Sequence, residues 1–115
     1  MKKVLIAAGL LAALTLADAK AADPKPGLLI GGAITCQELG STTDRKEQIF
    51  HVGWAMGYWS GLNVQSGRMV GKGISTKQIV DKIDEVCRLD PTQNLQYAVN
   101  VVYALMAKLQ GINIQ

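Results

Sequence analysis

Residues 90–111 read Asp-Pro-Thr-Gln-Asn-Leu-Gln-Tyr-Ala-Val-Asn-Val-Val-Tyr-Ala-Leu-Met-Ala-Lys-Leu-Gln-Gly. This stretch carries the strongest helix-start signal in the chain. Asp90 is placed as the N-cap, Pro91 fills the first helical position, and Gln93 completes a capping box. Leu95, Ala98, Val99, Val102, Leu105, Met106 and Leu109 then make a broad apolar face over four turns. Gly111 suits the position just past the end, where a left-handed residue closes a helix.

Working outward, Ser75-Thr76-Lys77-Gln78 is a second box and opens a helix whose inward face is Ile79, Ile83, Val86 and Cys87. Lys77 and Asp81 form a surface pair, and Arg88 stands at the cation-favouring C-terminal end. Ser66 to Gly73 holds three glycines in eight residues and reads as a poorly restrained loop. It lacks the Gly-Lys-Ser/Thr ending, and no strand precedes it, which excludes a phosphate cradle.

A long helix is expected from about Asp44 to Asn63. Asp44-Arg45-Lys46-Glu47 resembles a further box. Ile49, Val52, Met56, Trp59 and Leu62 recur at helical steps. Gly53, Gly57 and Gly61 form one smooth stripe along it, although each costs about 1 kcal/mol relative to alanine in a helix interior. Close approach of another helix would compensate. A tight crossing within the chain is the first expectation, and a homodimer seam is the second. A short first helix should begin at Thr35, where Thr35-Cys36-Gln37-Glu38 is a capping box, and stop at Gly40. No segment reads as a strand, and no internal repeat is found. Short connections between these helices point to a small all-α bundle of four helices in which the second and fourth pack on each other and on the third.

The N-terminal residues read as an address. Lys2 and Lys3 precede thirteen apolar residues, Val4 to Leu16, followed by the small-x-small sites Ala17-Asp18-Ala19 and Ala19-Lys20-Ala21. That order is a secretory signal peptide. As a helix the run rises roughly 20 Å, short of a ~30 Å hydrocarbon core, so no stable membrane anchor remains after cleavage. Residues 1–21 are therefore read as the cleaved signal, 22–33 as an extended arm, and 34–115 as the helical domain, exported to the periplasm. Without Lys2, Lys3, Lys20 and Asp18, the 12 basic and 9 acidic residues of the chain fall to nine and eight, a net charge of +1. No basic run interleaved with aromatics is left, which argues against nucleic-acid binding. Two cysteines, Cys36 and Cys87, in an oxidising compartment allow one intramolecular disulfide. It closes a loop of about 50 residues, worth roughly 4 kcal/mol in the chain-entropy model. Two cysteines and one histidine fall short of a zinc set, so no metal or cofactor is expected.

The search for catalysis returns little. His51 is the sole histidine and lies inside the second helix, with no pattern tying it to a nucleophile. A minority role for it is pH sensing. Asp81, Asp84 and Glu85 share one helix face and read as solvated. An enzyme is not expected. Phe50, Trp54, Tyr58 and Trp59 fall within ten residues. The first three share a face, and Trp59 is displaced by about 100°. These aromatics are either core or an apolar surface for a client or a second copy.

Thr35-Cys36-Gln37-Glu38 soon after a signal peptide, Trp54 with Gly57-Tyr58, the run Ile83 to Cys87, and Pro91 followed by Leu95 and Ala98 together resemble the HdeA/HdeB acid-stress chaperones. The resemblance spans roughly Ile34 to Leu109. It implies a small HdeA-like four-helix fold closed by one disulfide, with Cys36 and Cys87 matching the family pair. It further implies an ATP-independent holdase whose dimers give way to disordered monomers that hold unfolded periplasmic proteins at low pH. Protonating eight carboxylates would carry the net charge from +1 to about +9, and self-repulsion would loosen the fold. The glycine stripe and residues 57–63 look more like divergent HdeA-like proteins. The chain also resembles Tai-type periplasmic immunity proteins. That likeness implies a protein partner, a secreted effector, neutralised by a folded surface.

Overall fold

The computed structural model describes residues 31–114. The signal-peptide reading and most of the arm, including Leu28-Leu29-Ile30, lie outside the described residues. Four helices follow in order: α1 (Cys36–Ser41), α2 (Arg45–Ser66), α3 (Thr76–Leu89) and α4 (Leu95–Leu109). Among the described residues the only β pairing is an isolated bridge between Thr35 and Asn94. The domain is a small all-α bundle closed by one disulfide, Cys36–Cys87.

Two helix starts match their sequence signals. Thr35 Oγ1 accepts from the Glu38 amide at 3.1 Å while the Thr35 amide donates to Glu38 Oε2 at 3.3 Å. Ser75 and Gln78 make the same reciprocal pair at 3.1 and 3.0 Å. Asp44 caps α2 through the Lys46 amide alone, so the box expected with Glu47 is a single cap. α2 continues three residues past Asn63 to Ser66 and ends on left-handed Gly67 (φ +67°). Gly40 does not stop α1, which runs on to Ser41. The Thr42 amide and hydroxyl then close it on the Leu39 and Glu38 carbonyls.

The start of α4 differs from expectation for a physical reason. Asp90 is not its N-cap. The Asp90 carboxylate accepts from Thr92 Oγ1 at 2.6 Å, from the Thr92 amide at 3.3 Å and from Gln93 Nε2 at 3.2 Å, which folds residues 90–93 into a turn. The carbonyls of that turn face α1: Cys36 N donates to Gln93 O at 2.7 Å and Gln37 N to Pro91 O at 3.0 Å. α1 needs acceptors for its first amides. Meeting that need outweighs an early helix start, and Asn94 becomes the cap through the Tyr97 amide at 2.8 Å.

α4 is the spine. Leu95, Ala98, Val99, Val102, Tyr103 and Ala107 are buried, but Leu105 and Leu109, placed on the inner face by periodicity, are exposed at 53% and 82%. α3 lies along α4 through Ile79, Ile83 and Cys87, and α2 reaches the core through Ala55 and Trp59. α2 and α3 hardly meet, contrary to the expected packing; each is held mainly through α4, and α1 is joined to α3 by the disulfide.

The 66–73 segment is firmly held. Val70 is a core residue, 2% exposed. Its amide donates to Asn63 Oδ1 at 3.0 Å, and its carbonyl accepts from Asn63 Nδ2 at 3.1 Å and from Trp59 Nε1 at 2.8 Å. Gly71 (φ +89°) lies flat on the Trp59 indole and donates to Gln110 Oε1 at 2.8 Å. Three glycines here satisfy a tight path over an indole instead of leaving the loop free.

Candidate functional site

The four aromatics of α2 divide into separate roles. Trp59 is core, 4% exposed, with its ring edge-on to Tyr103 at 5.0 Å. In the folded state it therefore belongs to the core and not to an exposed surface. Trp54 and Tyr58 stack at 5.1 Å with an interplanar angle of 9°. Gly31 (φ +83°) packs so closely on the Trp54 indole that a side chain there would collide with it. The Tyr58 hydroxyl donates to Asn100 Oδ1 at 3.0 Å and accepts from Gln96 Nε2 at 2.9 Å, which ties the stack to α4. Phe50 alone is open, half exposed and edge-on to His51 at 5.5 Å.

Gly53, Gly57 and Gly61 face away from the core, and a Cβ on any of them would meet nothing within 4 Å. Among the described residues they do not form a tight crossing. Ile49 and Val64 are exposed on α2 as well, so this helix is apolar around most of its circumference. A helix apolar all round belongs in a larger core than one small domain supplies.

The space between α2 and α3 is a cleft of about 740 Å³. Its floor is the Cys36–Cys87 disulfide with Ala55, Ile83 and Leu95, and its walls are Leu39, Val52 and Val80. Gln37, Gln48, His51, Asp84 and Arg88 edge it. His51 Nδ1 is buried without a hydrogen-bond partner. Burial pushes the Asp84 carboxyl above its ordinary range, with Arg88 pulling the other way and Asp81 adding to the rise. Among the described residues no group of histidine, cysteine or acidic side chains could hold a metal ion.

The third feature is the seam where α1 meets the 90–93 turn. Hydrogen bonds from Thr92 and Gln93 hold the Asp90 carboxyl below its ordinary value. That carboxylate organises the turn whose carbonyls receive the Cys36 and Gln37 amides. The disulfide joins α1 to α3 just ahead of that turn, its Cα atoms 5.0 Å apart.

The chain matches no protein-family model, no curated protein and no solved structure. No family is assigned. The disulfide pair falls where the sequence placed it, and the cleft and the Asp90 seam were not foreseen. The signal for the seam was present in Asp90-Pro91-Thr92-Gln93, which serves equally for a turn and a helix cap. The cleft had no local signal, because it depends on α2 and α3 failing to meet.

Proposed function

We propose that this protein is a periplasmic acid-stress holdase: a folded, disulfide-closed bundle at neutral pH that presents apolar surface to unfolding proteins when acidified. The observation that carries this reading is the Asp90 seam. A carboxyl held below its ordinary value stabilises the fold above its unfolded value, and that stability is lost as pH falls through the folded value. Acid strong enough to protonate Asp90 therefore weakens the turn on which α1 docks. Asp84 works in the opposite sense, since protonation relieves its burial penalty and leaves α3 in place. The Cys36–Cys87 bond keeps a freed α1 tethered. Apolar side chains already exposed elsewhere, namely Ile49, Phe50 and Val64 on α2 and Leu105 and Leu109 on α4, add to the surface uncovered. Apolar side chains gathered on a surface are a usual mark of protein contact.

The test is light scattering from an acid-denatured periplasmic protein at about pH 2, well below the reference carboxylate values so as to reach a carboxyl held beneath them. Suppression at near-stoichiometric amounts, lost when the disulfide is reduced, supports the reading. No suppression refutes it. Capture of a partner only at neutral pH, by the folded surface, would favour the alternative of a Tai-type immunity protein.

A further inference from the structure

Protein interiors are close-packed, and a gap several side chains wide beside the core of so small a domain is unusual. The α2–α3 cleft is such a gap, and its 740 Å³ falls in the range of small-molecule sites. We propose that it binds a single-chain amphiphile, with the apolar tail lying on the disulfide floor and an anionic head meeting Arg88.

The floor and walls favour a tail. The buried Cys36, Ala55, Ile83, Cys87 and Leu95 offer no hydrogen-bonding side chain, and Leu39, Val52 and Val80 flank them on three different helices. Polar groups are confined to the rim, so a ligand with one polar end fits and one polar throughout does not. The sign of the head follows from the rim charges. Arg88 keeps its charge at any working pH, and guanidinium suits a planar or tetrahedral oxyanion. The described residues give it no salt bridge. Asp84, one turn before it on the same edge, offsets that cation in part, and burial disfavours its charge. His51 faces the same cleft from α2 and adds no negative charge. α1 contributes no charged residue to the lining. The occupied cleft would join α2 to α3, which barely touch without it.

This inference stands apart from the acid reading, because binding is measured at neutral pH on the folded, disulfide-intact protein. The probes are sodium decanesulfonate and decyltrimethylammonium, each below its micelle threshold, titrated into isotope-labelled protein and followed by amide shifts. Decanesulfonate should bind saturably at one per chain, with shifts confined to α1, residues 48–55, residues 80–88 and residues 91–95, and the cation should bind more weakly. Arg88→Gln should weaken decanesulfonate about tenfold, the factor carried by one charge-assisted hydrogen bond. Asp84→Asn should strengthen it. Val52→Trp should fill the cleft and abolish binding with helicity retained; should that variant misfold, the two charge variants decide alone. Equal binding of both probes, non-saturable binding, indifference to Arg88→Gln, or shifts at the exposed face of Phe50, Val64 and Leu105 would overturn the proposal.

Discussion

Replacing Asn63 by alanine tests how the 66–73 loop is held. The Asn63 amide accepts from Val70 N at 3.0 Å and from the Tyr103 hydroxyl at 2.8 Å, and donates to Val70 O at 3.1 Å. The three bonds are not equally costly to lose. Val70 O keeps Trp59 Nε1 as a donor, and the Tyr103 hydroxyl keeps Ser66 Oγ at 3.3 Å. The Val70 amide keeps nothing, and its residue is 2% exposed. An orphaned buried donor costs about 1–3 kcal/mol, and the two replaceable bonds add roughly 1 kcal/mol between them. Asn63→Ala should therefore destabilise by about 2–4 kcal/mol, or roughly 10–25 °C in Tm for a domain of this size. Urea unfolding followed by circular dichroism, with the disulfide intact, measures it. Ser66→Ala serves as the control and should cost well under about 1 kcal/mol, since Tyr103 keeps its Asn63 bond. A loss below about 0.5 kcal/mol for Asn63→Ala, within the range of ordinary surface substitutions, would mean that the loop is not pinned through Asn63.

Three further outcomes follow from the same geometry. Gly53, Gly57 and Gly61 changed to alanine should each stabilise the monomer by about 0.5–1 kcal/mol in thermal melts, because the helix gains propensity and the new methyl meets open space; destabilisation with loss of a sedimenting dimer would instead identify the stripe as a seam between copies. Changing both Cys36 and Cys87 to serine should cost roughly 4 kcal/mol from the 51-residue separation, read by urea unfolding, and a loss under about 1 kcal/mol would contradict the tether's role. Asp90→Asn should lower stability at neutral pH, and the gap to the parent should shrink as pH falls through the parent's depressed carboxyl value and vanish once that group is protonated; a gap constant with pH would show that the charge of Asp90 does not hold the turn.

How far the sequence spoke depended on whether a signal was local. Thr35-x-x-Glu38 and Ser75-x-x-Gln78 are capping boxes whose partners lie within one turn, and both form. Two cysteines have one possible intramolecular pairing, and they make it. The misreadings each turn on a distant partner. Asp90-Pro91 has the local form of a helix start, but the amides of α1, more than fifty residues earlier, claim the turn carbonyls. The glycines of 66–73 suggested freedom until Trp59 and Gln110 supplied the surfaces that use them. The aromatic run of α2 could not be divided by periodicity, because burial of Trp59 depends on Tyr103 and Val70 while Trp54 and Tyr58 are set by Gly31 and α4. The cleft is the extreme case. It is a relation between two helices that barely meet.

Hydrogen exchange on the disulfide-intact protein, stepped from neutral pH down through and below the carboxylate range to about pH 2, addresses the acid-opened seam most directly. The amides of Cys36 and Gln37 should lose protection first, while those of Val99 and Val102 in α4 hold. Simultaneous loss across all four helices, or α1 protection that outlasts α4, would show that acid does not enter through Asp90 and would remove the basis for the holdase reading.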